Sequence, residues 1–481
     1  MTPPPPPPLA DAIANAVLSA YAQLPKTGKP VARAAKHEWT VLAGIVAVTS
    51  TQIECIALGT GLKCLNPSQM PADGSCLHDS HAEVICRRSF MHYLYASLEA
   101  EESGQAIKGK GPRILVPQEK DGEANRLYRV ADGVSLHFYI SQSPCGDASM
   151  SALSMEQTSA ELNIVNKKRK FTPPPPTAAS STTTSATATA DSPFDLDDPI
   201  TAQQALRGRH DYSALGRLRT KPARTDAETT RSMSCSDKLA KWCLLGLQGA
   251  LLMQWIPTPI RIATLVVGPE RCDEQSIRRA VVDRAKSVVA KEELNDIRVE
   301  TTDLQFEFSV GALTQKLGGN PSAKRAKAGC EEAATTTTTT TTTIPLHPNA
   351  VVLIPANAAL AWDATRGPRG PAEVTVSGRK QGAAKMGGEW SLKARSSLCR
   401  ASFYARFLAL SSSSKEQSVS QQPPATYRAA KLASTKYQAA RAAMLADPNF
   451  AGWVFGGDEL QEFTVAPVVP RKGNARSLLS D

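Results

Sequence analysis

Hydrophobic and polar positions follow two rhythms along this chain. From Leu9 to about Leu24 the apolar residues Ile13, Val17, Leu18 and Tyr21 recur at helical spacing, and Pro25 marks the end of that helix. Val41–Val48 is a continuous apolar run, the pattern of a buried strand, and Ile53–Gly59 predicts a second strand closed by Gly59-Thr60-Gly61. Ser80–Leu98 returns to the helical period, with Asp79 or Ser80 expected as N-cap and Ile85, Phe90, Leu94 and Leu98 as core positions. Val134–Gln142 predicts a strand that turns out through Ser143-Pro144-Cys145-Gly146 towards another helix start. Further on, a helix is expected over Asp237 to about Trp255, with Leu239, Trp242, Leu245 and Leu252 inward. A strand follows over Ile262–Val267 and a helix over Ser276–Val289. Val351–Ile354 and Val374–Val376 suggest short strands, and the last third is expected to be mostly helical. Strands alternating with helices place the chain in the α/β class.

Three stretches break these rhythms. Residues from about 151 to 228 include Pro173–Pro176 and then a nearly uniform run of Ala, Ser and Thr. Residues 318–345 contain Thr335–Thr343, and residues 411–424 are rich in Ser and Gln. Each is expected to be a disordered insertion, because such sequences bury too little apolar surface to offset the entropy of ordering. With a Pro-rich tail at 1–8 and a flexible tail at 468–481, the expectation is one folded domain over 9–467, interrupted three times.

Composition narrows the class. An apolar fraction of 42% supports a real core, and a net charge of +10 suits a nucleic-acid partner or basic surface tails. Ten cysteines without regular spacing point to an intracellular protein with free or metal-bound thiols, its compartment (nucleus or cytoplasm) left open. Lys167-Lys168-Arg169-Lys170 reads as a solvated basic run. No apolar run has the length of a membrane span, and the N-terminus lacks the basic start of a signal peptide.

The candidate chemistry sits in three short segments. His81-Ala82-Glu83 opens one predicted helix, Pro144-Cys145-Gly146 leaves a strand, and Ser234-Cys235-Ser236 opens another helix. His81 can offer a ring nitrogen to zinc while Glu83 stands beside the metal as a proton carrier. Cys145 follows His81 by 64 residues, at a turn where a helix N-terminus would favour the thiolate. Nucleobase deaminases commonly take the next ligand from C-x-x-C, but here that position is Ala148. A catalytic zinc needs three protein ligands and one open position, so Cys235, 90 residues further on, is the candidate third ligand.

The segment Ser232-Met233-Ser234-Cys235-Ser236-Asp237-Lys238, running on through Gly246-Leu247-Gln248-Gly249, resembles the third metal motif of the adenosine deaminases that act on RNA. His81 to Arg88 resembles their first motif, and Ser143 to Asp147 their second. The resemblance runs from about Ala10 to Pro467 outside the insertions. The opening, Ala10–Tyr21 with Glu38-Trp39-Thr40-Val41-Leu42-Ala43, is most similar to the tRNA-acting branch. Only 80 residues precede His81, which leaves no room for the RNA-binding modules of the mRNA-editing branch.

The resemblance implies a cytidine-deaminase-like three-layer α/β/α domain with extra C-terminal helices. It implies zinc on His81, Cys145 and Cys235, with Glu83 moving protons during conversion of adenosine to inosine. The implied substrate is tRNA, at the adenosine immediately 3′ of the anticodon of tRNA(Ala), with neither a membrane nor an obligate protein partner. It further implies a buried inositol hexakisphosphate that neutralises Arg87, Arg88, Lys238 and Lys241. The run from Tyr427 to Arg441, with Lys431 and Tyr437, would add contacts, as would Lys380 and Trp453. Phe455-Gly456-Gly457 departs from the family there and puts one contact in doubt. Otherwise these cations would fan out to solvent or pair with carboxylates such as Asp147 and Asp237. Val41 is a candidate wall of the adenine pocket and Lys63 a candidate phosphate contact. Two alternatives stay open: a deaminase editing mRNA or other structured RNA, and an inactive zinc-containing RNA-binding subunit, against which Glu83 counts.

Overall fold

A computed structural model describes residues 7–104, 112–118, 127–156, 205–208, 211–221, 228, 230–288, 297–317, 351–386, 389–413 and 424–465. Its spine is an eight-stranded mixed sheet. In chain order the strands are β1 (Leu42–Val48), β2 (Ile53–Thr60), β3 (Ser135–Gln142), β4 (Thr264–Glu270), β5 (Arg298–Thr301), β6 (Ala358–Asp363), β7 (Glu373–Val376) and β8 (Arg379–Lys380), ordered across the sheet β5-β4-β3-β1-β2-β6-β7-β8. β4 pairs in parallel with β3 and with β5; the other pairings of the sheet are antiparallel.

Helices cover both faces. α1 (Leu9–Gln23) lies on one: a Cβ added to Gly44 of β1 would sit 2.4 Å from Val17 Cγ2. α2 (Ala82–Ser103) lies on the other, where a Cβ on Gly59 of β2 would meet the Cys86 amide at 2.5 Å. Gly44 pairs with Leu58, the neighbour of Gly59, so the two glycines point to opposite faces and the layers are α/β/α. α3 (Cys235–Leu245) shares the face of α2, with Trp242 against Phe138 of β3. The C-terminal helices α4 (Arg400–Ser413), α5 (Tyr427–Leu432) and α6 (Thr435–Ala446) pack outside α2 and α3.

Several expectations shift in detail. The N-cap of α2 is His81, because Asp79–His81 is itself a short strand paired with Leu62–Cys64. The helix expected from Asp237 to Trp255 breaks at Gly246, whose φ of +79° a side chain would resist, and resumes at Gly249–Leu252. β5 and the centrally placed β6 were not expected. The insertion at 151–228 is too wide: Met150–Met155 is helical, and Leu206–Arg207 pairs with Arg219–Thr220, where Arg219 is fully buried. Likewise Ser411 to Ser413 complete α4. The expectations for 1–6, 318–345, 468–481 and Lys167–Lys170 lie outside the described residues. Among those described, no helix is long and apolar enough to cross a membrane.

Candidate active site

The site lies beyond the C-terminal end of β3, where open α/β sheets place ligands. Two helix starts and one strand exit converge there. His81 Nδ1 is 3.8 Å from Cys145 Sγ and 3.6 Å from Cys235 Sγ. The Cys235 amide donates to Cys145 Sγ at 3.3 Å, and the Ser236 amide donates to the Cys145 carbonyl at 3.0 Å. Tetrahedral zinc, with bonds of about 2.3 Å to sulfur and about 2.0–2.1 Å to nitrogen, holds such N···S pairs about 3.6 Å apart. The observed spacing fits that edge, and all three ligand atoms lie within 4.8 Å of one another. A hydrogen bond with Cys235, helped by Lys221 and His81, pulls the Cys145 thiol well below its ordinary pKa, while burial pushes Cys235 up.

Glu83 is 4% exposed on the first turn of α2. Burial, then the neighbouring Cys145, raises its pKa, the direction that eases proton uptake by a carboxyl. Behind the cysteines stands a group that charge patterning did not single out. Asp79 Oδ1 accepts from the His81 amide at 3.0 Å, and Oδ2 accepts from Lys221 Nζ at 2.7 Å, from Lys238 Nζ and from Ser232 Oγ. Lys221 Nζ also lies 3.2 Å from Cys235 Sγ. Burial opposes its charge, but Asp79 and the two cysteines win and raise its pKa. The lysine is therefore a fixed cation beside the ligand sulfurs.

A cavity of about 1820 Å³ opens behind this relay, between α2, α3 and the C-terminal helices. Arg87, Arg88, Lys238, Lys241, Tyr427, Lys431, Tyr437, Arg441 and Trp453 all line it. Lys380 does not: it is an exposed residue of the edge strand β8, and Arg400 on α4 lines the cavity instead. Lys238 is bound to Asp79. Arg87, Arg88, Lys241, Arg400, Lys431 and Arg441 have no carboxylate partner among the described residues. Of the other acids on the wall, Asp458 pairs with Arg428 and Glu459 with Arg231, while Glu228 accepts from Ser68 Oγ. Burial, then Arg87, lowers the Lys241 pKa to about 7, and burial brings Arg87 down to about 10. Arg87 Nε is buried without a hydrogen-bond partner. Such a cluster is suited to a polyanion.

The remaining candidates flank the reaction end. The Val41 carbonyl accepts from the Gly61 amide, whose own carbonyl accepts from Ala82 at the head of α2. Lys63 pairs with Ser80 beside the His81 strand. Asp147 and Asp237 serve neither Arg87 nor Lys241. They bind Arg284.

A family described as "Adenosine-deaminase (editase) domain" matches residues 57–455. The mouse protein "tRNA-specific adenosine deaminase 1" is 28% identical over 94% of this chain and 99% of its own length. The Drosophila melanogaster protein of the same name is 33% identical over 58% of this chain and 59% of its own. Mouse "Double-stranded RNA-specific editase B2" is 31% identical but covers 49% of this chain and 27% of itself. The family match spans the helix starts at His81 and Cys235, the strand exit between them and most of the cavity behind, and on that breadth the chain belongs to the adenosine-deaminase (editase) family.

Proposed function

We propose that this chain carries out hydrolytic deamination of adenosine to inosine in tRNA, at the adenosine immediately 3′ of the anticodon of tRNA(Ala). The observation that carries the chemistry is the His81, Cys145 and Cys235 triad at zinc spacing with a buried carboxyl, Glu83, beside it. Zinc held by these three would supply a water acidic enough to act as nucleophile at neutral pH. Glu83 would accept one proton from that water and pass it to N1 of the adenine ring, then take a second from the new C6 hydroxyl and pass it to the departing ammonia. Lys221, fixed by Asp79, places a positive charge beside the two sulfurs and favours their thiolate form. Val41 shapes the pocket wall, and Lys63 holds a flanking phosphate.

The choice of tRNA rests on the mouse relative, which this chain matches over nearly its whole length. The wall of unpaired cations supports inositol hexakisphosphate as the resident polyanion, with Arg87, Arg88, Lys238, Lys241, Tyr427, Lys431, Tyr437, Arg441, Trp453 and Arg400 as its contacts. Mass spectrometry of the acid extract of the purified protein is expected to show one inositol hexakisphosphate per chain. An extract without it sinks that assignment.

The substrate is tested by mapping inosine in cells that lack this protein. Loss confined to the anticodon-adjacent position of tRNA(Ala) is the expected result. Loss in mRNA duplexes with tRNA(Ala) untouched would move the activity to the second reading, which the editase match favours.

A further inference from the structure

Each of the two cysteines is followed two residues later by a fully buried aspartate, Asp147 after Cys145 and Asp237 after Cys235. Both point at one guanidinium. Arg284 Nη1 donates to Asp237 Oδ1, and Arg284 Nη2 donates to Asp147 Oδ2 at 3.4 Å. Arg284 is 4% exposed, and the remaining lone pairs of the two acids are also claimed. Asp147 Oδ1 accepts from the Gly216 amide at 2.8 Å, and Asp237 Oδ2 accepts from the Arg219 amide at 2.9 Å and from Ser234 Oγ at 2.7 Å.

The local helix is built for this reach. A π-helical turn, Arg278–Asp283, interrupts the run between Glu274–Ile277 and Arg284–Lys286. In an α-helix, residues five apart lie about 140° around the axis. A wider turn closed by i→i+5 hydrogen bonds swings them back towards one side. Arg279 and Arg284, five apart, both reach Asp147 Oδ2, at 3.4 Å each. Nothing in the proton chemistry or the cavity uses this turn.

We propose that Arg284 is a positioning residue that ties the Cys145 turn to the Cys235 helix start and thereby holds the two sulfurs at metal spacing. The proposal rests on the reading that His81, Cys145 and Cys235 bind zinc. The guanidinium reaches the two carboxylates from two separate Nη atoms held in one plane, so lysine, a point charge on a flexible stem, keeps the charge but not that fixed fork. Groups that orient ligands from behind typically contribute about 10- to 100-fold to metal affinity.

The test compares zinc retention against a chelator in the full-length wild type, Arg284→Lys and Arg406→Lys, with the visible spectrum of each cobalt-loaded protein. Arg406 pairs with Glu99 at the contact of α2 and α4, so Arg406→Lys controls for a lost half-buried ion pair elsewhere. Arg284→Lys is expected to lose zinc at about 10- to 100-fold lower chelator and to shift the thiolate–cobalt bands. Arg406→Lys should do neither. Equal retention and spectra in wild type and Arg284→Lys would overturn the proposal, as would equal losses in both variants. If Arg284→Lys does not fold, Asp147→Asn carries the same comparison, since it weakens one arm of the tie and leaves the guanidinium. A wild type that binds no zinc would remove the metal reading itself, and this proposal with it.

Discussion

At the scale of single residues, rare chemistry was legible and its support was not. His81, Cys145, Cys235 and Glu83 stand out in a sequence because few purposes need those residue types at helix starts and a strand exit. Asp79 and Lys221 do not stand out, since a charged residue in a loop reads like any solvated one. Lys221 also falls inside a stretch whose composition suggests filler, and only the fold brings it to Cys235. Gly146 illustrates a backbone demand of the same site. Its φ is +110°, and a Cβ there would lie 2.1 Å from Ser234 Oγ. Gly146→Ala is expected to destabilise the protein by about 1–3 kcal/mol in urea unfolding and to lower zinc content, because strain and overpacking act together.

Lys241 carries a pH dependence. Burial, and then Arg87, lowers its pKa from the ordinary value of 10.5 to about 7. The other charges facing it include Arg441, Lys238 and Lys431, also cations. A bound polyanion raises that pKa, so it favours protonated Lys241. Affinity is then full below about pH 7 and falls as the pH rises above it. Measured Kd values for inositol hexakisphosphate between pH 6.5 and 9 should show this slope, and Lys241→Gln should flatten it.

At the scale of elements, hydrophobic periodicity located α1, β1, β2, α2 and β3 within a few residues. It failed where the environment outvotes local preference. The Ala-rich run Ala358–Asp363 is a poor strand by composition, yet β2 and β7 claim its backbone from both sides. Contacts between layers depend on missing atoms as much as on those present. α1 approaches β1 closely only because residue 44 has no side chain. Gly44→Ala is expected to cost about 1–3 kcal/mol by overpacking against Val17. Combined with Val17→Ala it should cost less than the two single changes together, since the clash disappears. Additive losses in denaturant titrations would contradict that account of the α1 contact.

At the scale of the whole molecule, one sheet, two helix starts and a C-terminal cap enclose two charge systems back to back. The metal-facing system is negative at its sulfurs; the cavity behind is positive. Asp79 bridges them, with Lys221 towards the cysteines and Lys238 towards the cavity. Six of the cavity's cations, Arg87, Arg88, Lys238, Lys241, Lys431 and Arg441, were legible through the family resemblance. The exclusion of Lys380 and the inclusion of Arg400 were not, because each depends on which side of an element faces inward.

The central claim, that Glu83 moves the protons for a metal centre acting on tRNA, has a direct measurement. Inosine formed at the anticodon-adjacent position of tRNA(Ala) is quantified under single-turnover conditions for wild type and Glu83→Gln at equal, measured zinc content. A rate lower by at least about 100-fold in Glu83→Gln, with zinc retained, is the predicted result. Inosine formed at the wild-type rate by zinc-loaded Glu83→Gln would contradict the account.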